Sequence, residues 1–181
     1  MKLSTRVAHV SLAAVLALSL APFAEAQDSK SAPLAKQLSA ALDAAKLDSI
    51  AAKDPDSADS FCAALYFPNM QLLVVSGKYS VPQLLTTRLN NKEYRDVYLD
   101  LNGAATAKIF IEDPGADGLK AKRESNQPFD QAEMAGKRTM FDGDWKAQKM
   151  SEQDYTRAFA AADDKYAQIL TALLAQLKKT S

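Results

Sequence analysis

Histidine and cysteine are almost missing from this chain: it has one of each, His9 and Cys62, and a single tryptophan, Trp145. One thiol cannot close an internal disulfide, so stability has to come from packing. Cysteine-only zinc and iron-sulfur sites within one chain are excluded as well. The lone histidine lies in a segment expected to be lost. Lys2 and Arg6 precede an almost unbroken apolar run from Val10 to Leu20, followed by Pro22 and Ala24-Glu25-Ala26. That pattern reads as a secretory signal peptide over residues 1–26, cut before Gln27. The run is short for a membrane span, which takes roughly 20 apolar residues. Cleavage would leave residues 27–181 without histidine. Ser-His-Asp and Cys-His nucleophiles, histidine-bound zinc and proximal-histidine haem would then be unavailable.

Charge of one sign is also lacking, with 22 basic against 22 acidic residues. Nothing favours a nucleic acid or an anionic membrane surface as partner. Cys62 lies too far downstream to carry a lipid next to the signal, so no membrane anchor is expected after cleavage. The compartment expected is the periplasm or the external medium. What remains chemically is carboxylate, lysine, tyrosine or serine chemistry, oxygen-ligated cations, or a bound organic cofactor.

Residues 27–181 suit a single globular domain. Ser31 is positioned to cap a helix over 33–46 with Pro33 in its first turn, since Leu34, Leu38, Ala41, Leu42 and Ala45 share a face. Residues 49–53 read as a short strand or a last helical turn. Two apolar runs, 61–67 and 71–76, joined by Pro68-Asn69-Met70, predict an antiparallel hairpin. A central helix capped by Ser80, with Pro82 near its start and its end between Asn91 and Tyr94, and a hairpin of 97–101 with 107–112, come next. Residues 113–128 read as loop with little core. Phe129–Met134 and Lys137–Phe141 then predict a small meander continuing past Asp142-Gly143, with Asp-Gly the stronger turn signal. A helix over 152–178 follows from an apolar stripe running from Tyr155 to Leu177, opened by Ser151 and Asp154 as a capping box. The fold class is α+β: an antiparallel sheet or split barrel of about six to eight strands, with N-terminal, central and long C-terminal helices.

The stretch 49–113 resembles the flavin-mononucleotide-binding split-barrel family, the pyridoxamine-phosphate-oxidase-like proteins. The matching residues are Leu72-Leu73-Val74-Val75-Ser76-Gly77-Lys78-Tyr79-Ser80, the helix from Pro82, and Ile109-Phe110-Ile111-Glu112-Asp113. The resemblance implies a flavin-dependent oxidoreductase in which Ser76, Lys78 and Ser80 bind the cofactor's phosphate. The chain departs from the family in lacking a base in 61–67 and after Ser80. Apart from this resemblance no cofactor is expected.

Three further groups of residues are site candidates. Asp113, Asp117 and Glu124 take the first, fifth and twelfth places of a calcium loop with Gly118 at the sixth, but Gly115 at the third brings no ligand. A glycine-rich turn accounts for the same residues. Tyr66, Tyr79, Tyr94 and Tyr98 cluster near Arg88 and would line a ligand cleft if their polar tips converge; aromatic strand residues reaching water are the alternative. Trp145, beside Asp142 and Asp144, would stack on a ligand or pack on the C-terminal helix. Cys62, in an apolar run, reads as a buried hydrophobe. These features point to a non-catalytic exported domain binding a small molecule or an envelope protein; the oxidoreductase is the alternative.

Overall fold

The computed structural model describes residues 29–56, 60–67, 71–78, 107–124 and 126–180. The elements are α1 (Ser31–Ala45), β1 (Ser49–Lys53), β2 (Ser60–Phe67), β3 (Gln71–Lys78), β4 (Ala107–Asp113), β5 (Asp130–Met134), β6 (Lys137–Phe141) and α2 (Glu152–Thr180). The expected central helix and the strand at 97–101 fall outside these residues. All six strands form one sheet in sequence order, each antiparallel to the next. It is an open sheet, so the chain is α+β with an N-terminal and a long C-terminal helix. Among the described residues no helix is long and apolar enough to cross a membrane.

Side chains alternate across a strand, which sorts the apolar runs of β2 and β3 into two layers. Cys62, Ala64, Tyr66, Leu72, Val74 and Ile111 join the core under α1 and α2, while Phe61, Ala63, Leu65, Leu73, Val75 and Phe110 form a second buried cluster. Burial on both faces is why these strands read as continuous apolar runs rather than as alternation. The helix α2 supplies Tyr155, Ala162, Tyr166, Ile169, Leu170, Leu173, Leu174 and Leu177 to the first core, the face anticipated from its spacing. Ser151 accepts the Asp154 N–H at 3.1 Å and donates to the Asp154 carboxylate at 2.6 Å, which caps its start.

Several local expectations change. Ser31 is the first helical residue of α1 rather than its cap, and the residue before it, Lys30, makes no side-chain capping bond. The cap comes from α2 instead. Asp163 accepts the Lys30 and Ser31 N–H groups at 2.7 and 3.1 Å and the Ser29 hydroxyl at 2.6 Å. This carboxylate does what a neighbouring Asp or Ser normally does, from 133 residues away. Asp163→Ala should cost about 2 kcal/mol, because buried donors lose a charged acceptor. A chemical melt checks it; a change below about 0.5 kcal/mol would mean that water replaces the cap at no cost.

The other end of α1 closes as a Schellman motif. Lys46 donates to Asp43 and Leu47 donates to Leu42, with Lys46 in the left-handed region at φ 53°. Glycine adopts that conformation without the Cβ penalty. Lys46→Gly is therefore expected to stabilise the protein by about 1 kcal/mol, read as a rise in Tm. A fall would place Lys46's side chain among the stabilising contacts.

The meander ends earlier than expected. Ala135 and Gly136, at φ 51° and 74°, form the two-residue turn joining β5 to β6, both in the positive range that such hairpin turns need. The stronger Asp-Gly signal at Asp142-Gly143 does not open a further strand; the chain bends there and turns through 145–149. Asp142 spends its carboxylate on the Asp144 N–H, an Asx turn that leads away from the sheet. The loop 113–128 also holds more core than anticipated, since Ala116 and Leu119 are fully inside.

Candidate functional site

Among the described residues, a dense gathering of ionisable groups lies where β4 ends and β5 begins. Asp113 and Asp130 follow the last registered pair, Glu112 with Gln131, so the two carboxylates close neighbouring strand ends. Both are buried. The loop between them has no ladder to satisfy its backbone, and four consecutive N–H groups find side-chain acceptors instead. Asp117 and Gly118 donate to Asp113 at 3.2 and 2.8 Å, Leu119 to the Ser31 hydroxyl at 3.0 Å, and Lys120 to Asp130 at 2.7 Å. Tyr166 of α2 completes Asp113 by donating its hydroxyl at 3.0 Å. Loop, β4, β5, α1 and α2 thus meet in one polar knot.

Its electrostatics follow from that burial. Desolvation raises Asp113 above the usual carboxylate range against its donors' pull. Asp130 is pushed up to about 7, first by burial and then by the Asp113 charge, with the Lys120 N–H opposing. Tyr166 is held far above a free phenol by burial and by Asp113. The recess over this loop, bordered by Asp117, Lys120, Glu124, Gln127 and Asp130, has a volume of about 10 Å³, barely that of one water.

The three calcium candidates do not come together as an ion cage. Asp113 accepts from protein donors at both oxygens, and the Lys120 ammonium lies 2.8 Å from Asp117 and 3.3 Å from Glu124. A cation of the chain's own already takes the place between those two acids. Among the described residues no set of three His, Cys, Asp or Glu side chains converges. The donors present do not fit Ca2+.

A second buried polar cluster surrounds Ser76. The Ser76 hydroxyl donates to Asp54, whose other oxygen accepts the Asp56 N–H at 2.8 Å and lies 3.3 Å from the Lys165 ammonium. Lys165, projecting from α2, also reaches Asp56 at 2.5 Å. Donors hold Asp54 below the usual carboxylate range despite its desolvation. Cys62, opposite Ser76 in the ladder, has its thiol pushed up to about 12 by burial and by Asp54. Such a thiol is a poor nucleophile.

This arrangement bears on the flavin expectation. A phosphate at Ser76 would have to take the hydroxyl from a buried carboxylate and then sit beside that negative charge. The residues at Ser76 do not fit the group. The Lys78 side chain and Ser80 lie outside the described residues, as do Tyr79, Arg88, Tyr94 and Tyr98. Tyr66 is described: its ring is buried and its hydroxyl donates to Asp43 of α1 at 2.9 Å. Trp145 packs partly buried against the core, 6.2 Å from the Tyr155 ring. Tyr155 in turn accepts the Gly143 N–H and donates to the Ala121 carbonyl, joining two loops.

Sequence reasoning passed over Asp54, Asp130, Asp163, Lys165 and Tyr166 as members of polar clusters. Two of them left a signal. Asp130 shares the inward period-two positions with Ala132, and Lys165 falls between Ala162 and Ile169 on the apolar stripe of α2. A charge on a core face needs a buried partner. No protein-family model, curated protein or solved structure matches the chain.

Proposed function

We propose that this protein is an exported, non-catalytic α+β domain that binds a small molecule or an envelope protein. The reading rests on one observation. In the described structure the buried ionisable groups are fasteners between elements: Asp163 on α1, Asp113 on Tyr166 and the loop, Asp54 on Ser76 and Lys165. Groups so committed hold a scaffold rigid rather than meet a substrate. The signal-like segment 1–26, read as removed in transit, supports a site of action outside the cytoplasm.

Native mass spectrometry of the exported protein tests this reading. A mass for residues 27–181 carrying a small-molecule adduct supports it, as does crosslinking to an envelope component in intact cells. A bare mass together with no crosslinked partner would overturn it. The flavin-dependent oxidoreductase is the rival, and a yellow preparation that absorbs near ~450 nm would establish it in place of the binding domain. Colourless protein that takes up no added flavin mononucleotide removes the rival.

A further inference from the structure

Among the described residues the open sheet has two edges, and β6 is one of them. The pair Met134 and Lys137 flanks the two-residue turn, and hydrogen-bonded pairs alternate along an antiparallel ladder from there. Thr139 and Phe141 therefore bond to β5, while Arg138 and Met140 aim their N–H and C=O groups outward. Such groups are a template for another strand. Gln148 answers them at Met140. Its side-chain oxygen accepts the Met140 N–H at 2.9 Å, and its side-chain nitrogen donates to the Met140 carbonyl at 2.6 Å. One amide thus makes both bonds that a neighbouring strand would make. The same nitrogen lies 3.2 Å from the carboxylate of Asp142, the residue that follows the end of β6.

We propose that Gln148, carried on the turn 142–150, is a lock on the β6 edge, and that the occupant it excludes is the β6 edge of a second copy of this chain. The self-complementarity is in the sequence of the edge. An antiparallel two-fold pairing centred on Met140 sets Met140 against Met140 of the second copy, the N–H of each donating to the C=O of the other. It also sets Arg138 against Asp142 on each side, an opposite-charge pair of the kind that favours register. Arg138 is held by Glu133 through a surface ion pair, with its own side chain 43% exposed, so that exchanging this partner for Asp142 of the second copy costs little. The lock keeps two sheets from merging into one.

Sedimentation of wild type and Gln148→Leu over a range of concentrations tests the lock. Leucine keeps the bulk and removes both bonds. The variant should self-associate at least about 10-fold more tightly than wild type, with a far-ultraviolet circular dichroism spectrum still native. Met140→Pro in the same background supplies the control, because proline removes an outward N–H without touching the β5 ladder. The double variant should return to the wild-type state, and a precipitate of Gln148→Leu that the proline cures counts in favour. Equal association of wild type and Gln148→Leu would overturn the proposal. So would association that survives Met140→Pro, or a Gln148→Leu protein that stays monomeric and pairs instead with an unrelated extended peptide.

Discussion

Gly118→Ala is expected to cost about 4 kcal/mol. Two independent penalties meet at this residue. Its φ of 93° lies where residues with a Cβ are strained, by roughly 1–2 kcal/mol for left-handed backbone. A Cβ there would also fall 2.3 Å from the Ala32 Cα and 2.4 Å from the Ala32 nitrogen. Those atoms belong to the first turn of α1 and cannot swing aside like the end of a side chain. Overpacking of this kind adds roughly 1–3 kcal/mol.

The loss would spread beyond the contact. Moving the loop off α1 breaks the bonds from Gly118 to Asp113 and from Leu119 to Ser31, and lifts the buried Leu119 side chain. Gly136→Ala gives the matched control, since its φ is also positive but a Cβ there meets nothing within 4 Å. Chemical denaturation of the two variants separates strain from collision. If Gly118→Ala costs no more than Gly136→Ala, the close seat of the loop on α1 is wrong.

What the sequence disclosed and what it hid divide along the distance between interacting residues. The α2 helix was readable because its apolar positions repeat within one segment, from Tyr155 to Leu177. The β2–β3 hairpin was readable because a continuous apolar run interrupted by Pro68 and Asn69 fits a doubly buried strand pair. The loop was misjudged because Leu119 packs against elements far off in sequence, and composition alone cannot locate such a seat. The α1 cap was misassigned for the same reason. Ser31 is an excellent local cap, but Asp163 brings a full charge from α2 and frees the Ser31 hydroxyl for Leu119. Turn chemistry misled at Asp142-Gly143, where the Asx turn leads the chain away from the sheet and no further strand follows.

The candidate sites fared by the same rule. Asp113, Asp117 and Glu124 were recognisable as a spaced set of acids, yet their partners are backbone groups, Lys120 and Tyr166. Spacing shows that carboxylates are near one another in the chain. It does not show whether the protein or an ion neutralises them. Ser76 carried a flavin expectation on local pattern, and its actual partner Asp54 lies 22 residues earlier across the β1–β2 turn.

Asp130→Asn should stabilise the protein at pH 8 by up to about 4 kcal/mol while leaving it unchanged near pH 4. The sign follows from the carboxyl's raised pKa, from an ordinary 3.8 to about 7 in the fold. Between those values the folded state binds the proton and the unfolded state releases it, so stability falls as pH rises. The contribution is full below pH 4 and gone above pH 7, and three pH units at about 1.4 kcal/mol each set its size. Asparagine imitates the protonated form and keeps an oxygen for the Lys120 N–H. The groups that act on Asp130 are Asp113 on β4 and Asp117 and Lys120 in the loop, with Tyr155 and Tyr166 on α2 beyond them. Asp113, also raised by burial, adds to the same trend, whereas Asp54 is lowered and opposes it. The difference between wild type and variant removes the Asp54 contribution, while relief of the Asp113–Asp130 repulsion acts in the same direction as the loss of the Asp130 charge. Melting curves at pH 4.5, 6, 7 and 8.5 should diverge with pH, the gap reaching roughly 10 °C at the alkaline end. Parallel curves would mean that Asp130 is ionised at neutral pH and that the Lys120 N–H and ammonium already compensate its charge.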